Sequence, residues 1–276
     1  MTDTPKRPRG RPKSLFKESS AGTMQSLDRA LVVLTAVARM ERAALSDLAR
    51  EVDVPTATTH RILATLQKHG FVAFDDERQE WMIGIEAYRT GASFLRRNSV
   101  IEIGRPILRR LMQESGETAN LAVPDGSEVV FVGQVETPNP IRAFFPPGAR
   151  TPMYASGTGK AILAAMSESA ASKALAADAV RFTSHTLLPN EGLEADLAKT
   201  HARGWSHDHE ERYEGMSCIG AAIYNDRGEP CAGISVSGPS VRFIADRATE
   251  LGALVRDAAE EITQLSGGRF PKPPED

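Results

Sequence analysis

The sequence predicts an α+β protein of two domains: a helix-turn-helix closed by a small hairpin wing, then a larger domain of strands and helices around one central sheet. Three observations carry this. Near the N-terminus two short amphipathic segments flank a tight turn, and the second runs from Pro55 to just before Gly70, residues that suit a helix start and stop. Directly after it, the strand-like pieces "FVAF" and "WMIG" are separated by the charged turn "DDERQE". Beyond Gly116 helical periodicity gives way to strands interleaved with helices, with a hairpin late in the chain. The 276 residues suit about two domains at roughly 150 each, and 41% hydrophobic residues can supply a core to both.

Residues 1–22 precede the first helix. Six basic side chains (Lys6, Arg7, Arg9, Arg11, Lys13, Lys17) stand there against two acidic ones (Asp3, Glu18), in a chain whose net charge is −3. Prolines and the lack of apolar periodicity predict a disordered basic arm. Its core, Arg9-Gly10-Arg11-Pro12, has the form of an AT-hook, in which arginines lie in a narrow A·T-rich minor groove of strongly negative potential. A solvated basic terminus that aids solubility or touches RNA loosely fits the same residues, so the arm needs a DNA-binding neighbour to gain meaning.

Residues 23–84 form the predicted winged helix-turn-helix. Leu27, Ala30, Leu31, Leu34 and Val37 recur at helical spacing with Ser26 as N-cap. A short helix from near Ser46, a turn through Val52-Asp53-Val54 and a helix from Pro55 follow. On that second helix Thr59, Ile62, Leu63 and Leu66 share an inward face. Thr56, Thr58, Arg61, Thr65 and Lys68 are left as candidate DNA contacts, because threonine can meet a phosphate or a thymine methyl and arginine can span the guanine acceptors. Many helical hairpins show such residues to solvent only. Here the basic arm lies where it could enter the adjacent minor groove, so the two features support each other.

Residues 85–98 read as a linker helix and 99–270 as the second domain. "TANLAV", "EVVFVGQVE" and "IRAFF" are predicted strands, "SGTGKAILAAM" a helix, "MSCIGAAIYN" and "CAGISVSG" a hairpin across "DRGEP", and "ADRATELGALVRDAAEEITQL" the closing helix. "SGTGKA" is not a phosphate loop: Tyr154 stands where that motif needs its first glycine, and Ala161 where it needs Ser or Thr. What survives is a glycine-rich helix start whose amides at Gly157, Thr158 and Gly159 could attract a small anion, or a plain helix start. His207, Asp208, His209 and Cys218 could be drawn as a metal cluster or a Cys/His nucleophile pair. No HExxH or paired-cysteine signature supports either, and a packed cysteine beside surface histidines suits the pattern better.

The longest apolar runs fall short of the ~20 residues that span a bilayer, so a cytoplasmic protein is expected. Two cysteines, Cys218 and Cys231, exclude a disulfide framework and a zinc ribbon, and no cofactor is implied.

The wing-closed helix-turn-helix followed by "PPGARTPMYASGTGKAILA" and "GWSHDHEERYEGMSCIGAAIYNDRGEPCAGISVSGP" strongly resembles the IclR family of bacterial transcription regulators over nearly the whole chain after residue 22. The resemblance implies a winged helix-turn-helix, a linker helix and a GAF-like effector-binding domain. It also implies dimers or dimers of dimers, and regulation rather than catalysis. In the glyoxylate- and pyruvate-sensing branch the ligand sits under the glycine-rich turn. Carried over, the amides of Gly157 and Thr158 receive one end of it, Asp208 and Cys218 line the wall, and Ser235 and Ser237 offer hydroxyls. The branch often has Ala where this chain has Thr158. Amide donors, two serines and no visible Arg or Lys clamp suit a small monocarboxylate with a carbonyl or hydrate beside it, glyoxylate first and pyruvate second. The expected partner is double-stranded operator DNA with an inverted repeat. The competing readings are an enzyme using Cys218 or a His207/Asp208/His209 metal site, and a signalling module whose first domain only contacts proteins.

Overall fold

The computed structural model describes residues 24–97, 99–175 and 179–271; the basic arm, with Arg9 and Arg11, lies outside the described residues. Contacts divide the chain into two compact units between Phe94 and Leu95.

The first unit runs α1 (Gln25–Met40), β1 (Arg42–Ala43), α2 (Leu45–Glu51), α3 (Thr56–Lys68), β2 (Val72–Asp75) and β3 (Glu80–Ile83), and ends in α4 (Ile85–Arg97), which crosses the division. The antiparallel sheet has the order β1-β3-β2, so β2 and β3 form the wing and a two-residue strand with no sequence signal joins its other edge. Val33, Val37, Leu48, Leu63, Val72 and Trp81 build the core. Two expectations shift. Helix α1 starts at Gln25, behind Met24 and with no side-chain cap, so Ser26 lies inside it. Val33, Ala36 and Val37 are its buried residues, whereas Leu27 and Leu31 are each 54% exposed. With Leu31-Val32-Val33-Leu34 consecutive, apolar side chains fall on more than one face, and only packing selects the covered one. Pro55 caps α3 instead of opening it, its carbonyl accepting from the amides of Thr58 (2.8 Å) and Thr59 (2.9 Å).

The second unit begins with α5 (Ser99–Ser115) and continues through β4 (Thr118–Asp125), β5 (Glu128–Val135) and β6 (Arg150–Pro152). Then come α6 (Gly157–Ala165), α7 (Glu168–Ala174), α8 (Leu193–Arg203), β7 (Ser206–His209), β8 (Met216–Tyr224), β9 (Pro230–Pro239) and α9 (Ala245–Leu265). The sheet order is β6-β5-β4-β9-β8-β7, with antiparallel pairing throughout. Successive side chains of a strand point to opposite faces. Leu121, Ile219, Ile223, Ile234 and Val236 therefore meet Leu108 and Leu111 of α5 and Leu251, Val255 and Ile262 of α9 in one core. The intervening residues of β8 and β9 face α6.

The predicted strand "IRAFF" is not one: residues 141–145 have no ladder partner. The edge of β5 is taken by β6, and Phe131 exchanges backbone hydrogen bonds with Ala149 (2.9 Å) and Gly148 (2.7 Å). The segment is held by side chains, Phe145 stacking on Phe131 with centroids 4.8 Å apart. The prolines that follow, Pro146 and Pro147, have no N–H to extend a ladder. No described helix is long and apolar enough to cross a membrane.

Candidate functional site

The start of α6 is seated directly on the sheet. A Cβ on Gly220 would lie 2.6 Å from the carbonyl carbon of Gly157, and one on Gly157 would lie 2.7 Å from Cys218 Sγ, so only glycines allow this approach. The Ser206 hydroxyl donates to the Gly157 carbonyl at 2.5 Å and ties the helix start to β7. Ser156 caps the helix, its Oγ accepting from the Gly159 amide at 3.0 Å, which removes Gly159 from the anion-binding amides expected. The amides of Gly157 and Thr158 find no oxygen acceptor among the described residues.

Register pairs the candidates on the strands with one another, although Ser235, like Gly157, does not line the cavity that the others share. Cys218 pairs with Ser237, Gly220 with Ser235, and Asp208 with Cys218. Thr158, Asp208, Cys218 and Ser237 line one small cavity of about 20 Å³, with Phe131, Phe145, Arg212 and Tyr213 also in its wall. Ser237 Oγ accepts from Asn120 Nδ2 (3.2 Å), and Asn120 Oδ1 from Gln134 Nε2 (2.9 Å). The hydroxyls of Thr158 and Ser235 are buried without a partner, as is Nε of Arg212. Two of these side chains, Thr158 and Arg212, line the cavity, so their free donors are available to whatever fills it. Arg212 corrects the expectation of a cavity without a cationic side chain. Its guanidinium stacks over Phe182 at 3.7 Å. Within "HEERYEG" nothing in the sequence marks it, one basic residue among acidic and polar neighbours.

Sequence reasoning also missed Lys160. Its side chain is fully buried, with Nζ 2.8 Å from Asp196, 2.5 Å from Glu211 and 2.5 Å from the carbonyl of His207. Burial alone would lower its pKa, but the carboxylates of Glu211, Asp196 and Asp208 raise it. Burial lifts Glu211 to about 8 and Asp208 to about 6, against the pull of Lys160. Asp208 accepts from the Glu211 amide at 2.9 Å. Burial, then the Lys160 charge, press His207 down to about 4. Burial and the neighbouring Asp208 push the Cys218 thiol up to about 11, so it stays protonated at neutral pH and is no nucleophile. The rings of His207 and His209 lie 5.6 Å apart. Among the described residues no group of three or more His, Cys, Asp or Glu is placed to hold a metal ion.

In the first unit, α3 buries Thr59 and Leu63 and exposes Thr56, Arg61, Thr65 and Lys68, with Thr58 half-buried. The Thr65 hydroxyl donates to the Arg61 carbonyl at 2.8 Å. The wing turn is acidic: Asp75 accepts from the amides of Glu77 (3.1 Å) and Arg78 (3.2 Å) and pairs with Arg42 (3.0 Å), while Asp76 and Glu77 are exposed. Exposed carboxylates repel phosphate, which leaves the outer face of α3 as the better candidate nucleic-acid surface.

The model of the IclR helix-turn-helix domain matches residues 26–76, and that of the bacterial transcriptional regulator IclR C-terminal domain matches residues 92–264. The chain is 43% identical over 258 residues to the HTH-type transcriptional regulator BhcR of Paracoccus denitrificans, covering 93% of this chain and 92% of that one. It is 42% identical over 264 residues to the transcriptional repressor IclR of Escherichia coli, covering 94% and 96%. Among solved structures it resembles IclR of Thermotoga maritima with a TM-score of 0.74 and 27% identity, covering 89% of this chain and 100% of that one.

Proposed function

Because the chain belongs to the IclR family of DNA-binding transcriptional regulators, whose members are not enzymes, we propose that it is a cytoplasmic regulator controlled by a small 2-oxo acid, glyoxylate before pyruvate. Residues 23–84 bind the operator, the linker helix of residues 85–98 connects, and a GAF-like domain of residues 99–270 takes the effector. Arg9 and Arg11 of the arm enter the minor groove beside a major-groove contact made by Thr56, Thr58, Arg61, Thr65 and Lys68. A homodimer or dimer of dimers presents two such surfaces to an inverted repeat. The chain also resembles the regulator of the β-hydroxyaspartate cycle of glyoxylate assimilation, and the proposal includes that role.

One observation carries the effector reading: two amides without an oxygen acceptor, Gly157's beside the Cys218 sulfur and Thr158's next to it, open a helix whose second residue lines a cavity with Asp208, Cys218 and Ser237. Amides at a helix start favour a carboxylate. Asp208, at about 6, can hold a proton or accept from an aldehyde hydrate, which lessens its repulsion of an anion. Phe145 and Tyr213 form part of the cavity wall, and Phe145 stands on a segment with no ladder partner, which makes it the wall residue best placed to move as a ligand enters. Calorimetry on the full chain should show glyoxylate binding that Asp208→Ala and Ser237→Ala weaken. A gel shift on the chain's own upstream DNA should respond to the same acid. Intact binding in both variants, or tighter binding of an aromatic acid, would overturn the effector assignment.

A further inference from the structure

Thr158 is the second residue of α6, and its Cβ carries a methyl and a hydroxyl with different surroundings. The methyl is seated over Gly233: a Cβ there would come within 2.6 Å of Thr158 Cγ2. A β-branched side chain has one soft dihedral, so seating the methyl also sets the direction of the hydroxyl. Threonines inside helices commonly donate to the carbonyl four residues back. Thr263 does so to Ala259 and Thr65 to Arg61, each at 2.8 Å. At Thr158 the residue four back is Tyr154, which belongs to the short 3₁₀ turn before the helix, and no such bond forms. The hydroxyl is thus unpartnered on a side chain only 1% exposed that lines the cavity.

We propose that the Thr158 hydroxyl is a third donor to the effector's carboxylate, beside the amides of Gly157 and Thr158, and so sets the affinity of this site for small monocarboxylates. This rests on the effector reading above. Two carboxylate oxygens offer about four acceptor positions, so a third donor adds to the amides instead of competing with them. The methyl's role is to hold that donor in place; the hydroxyl alone makes the contact.

Full-length wild type, Thr158→Val and Thr158→Ser are titrated with sodium glyoxylate and sodium pyruvate by calorimetry, and their melting temperatures are taken without ligand. Valine keeps the branched shape and the methyl over Gly233 but has no hydroxyl. Serine keeps the hydroxyl and empties the methyl seat. The valine variant is expected to bind about tenfold or more weakly, the loss of one hydrogen bond to a charged acceptor, while melting no lower than wild type. The serine variant should stay within about threefold, since it retains the donor. Valine binding within about twofold of a wild type that binds glyoxylate overturns the Thr158 role and leaves the effector reading standing. Equal weakening by valine and serine also overturns it, because packing and not the hydroxyl would then set affinity. A wild type that binds neither acid overturns the effector reading and the Thr158 role together.

Discussion

The two faces of the six-stranded sheet are written in alternate residues of the same strands, yet they have opposite chemistry. Along β9, Ala232, Ile234 and Val236 enter the core against α5 and α9, while Gly233, Ser235 and Ser237 turn toward α6. Along β8, Ile219, Ala221 and Ile223 enter the core, while Cys218 and Gly220 face the helix start. The first face excludes water and holds the unit together. The second keeps small and polar side chains, leaves hydroxyls unpaired and lines a cavity. One strand can thus serve stability and recognition independently, because a period of two separates the residues for each.

The largest expected effect tests where that separation stops. Lys160 lies on the α6 side, but three carboxylates surround it. Thr158→Ser should be mild, whereas Lys160→Met should cost about 3–5 kcal/mol, since Asp196 and Asp208 lose their buried cationic partner. Urea denaturation measures it; a loss below ~1 kcal/mol would mean that the acids simply take up protons. Ile234→Ala should cost about 2–5 kcal/mol of stability and little affinity. Its neighbour Ser235→Ala removes an unpaired buried hydroxyl and should leave stability unchanged or improved within ~1 kcal/mol, while glyoxylate binding weakens. Denaturation and calorimetry on the same pair decide it, and similar stability losses in both would erase the distinction between the faces.

Helix α3 divides in the same way, with Leu63 inward and Arg61 outward. Arg61→Ala should leave the melting temperature alone and cost about 1–3 kcal/mol of binding at one base pair. Equal weakening on every sequence in a gel-shift series would make Arg61 a phosphate contact instead.

The smallest effect is in pH. Glu211 and Asp208 are raised in the folded state, to about 8 and about 6, above their ordinary values of 4.5 and 3.8. The folded chain then holds more protons than the unfolded one, so their contribution is full below about pH 4 and is lost as pH rises through 6 and 8. His207, lowered from 6.5 to about 4, acts oppositely and costs stability as pH falls through that interval. Denaturation midpoints should decline from pH 6.5 to 8.5 in the wild type, and the decline should be shallower in Glu211→Gln.

Much of this was legible from local pattern. The hairpin around "DRGEP", the closing helix and the wing each carry their own turn residues and periodicity, and α9 spans Ala245–Leu265 as the run of residues indicates. Ser235 and Ser237 were reached only through the family resemblance, not from the pattern of β9. Interactions between distant segments were not legible. Lys160 in "SGTGKA" has the local look of a solvated or phosphate-facing lysine. Its burial depends on Asp196 from α8 and Glu211 from the turn after β7, which only the assembled fold brings within 2.8 Å. "IRAFF" has the composition of a strand, but a ladder needs a free neighbouring edge, and β6 occupies it. The exposed Leu27 and Leu31 and the cavity-lining Arg212 are of the same kind, decided by what packs nearby and not by the residue itself.

The contact between Gly157 and Gly220 has a mechanical side. Side chains elsewhere form a compliant layer between helix and sheet, able to absorb a small displacement by changing rotamer. Here backbone meets backbone, and there is no such cushion. A force applied at the first turn of α6 must pass undamped into the middle of β8. Because Gly220 is paired to Ser235 and Cys218 to Ser237, it passes on to β9 through the ladder. The place with the least side chain is therefore one where helix and sheet have little room to shift independently of each other.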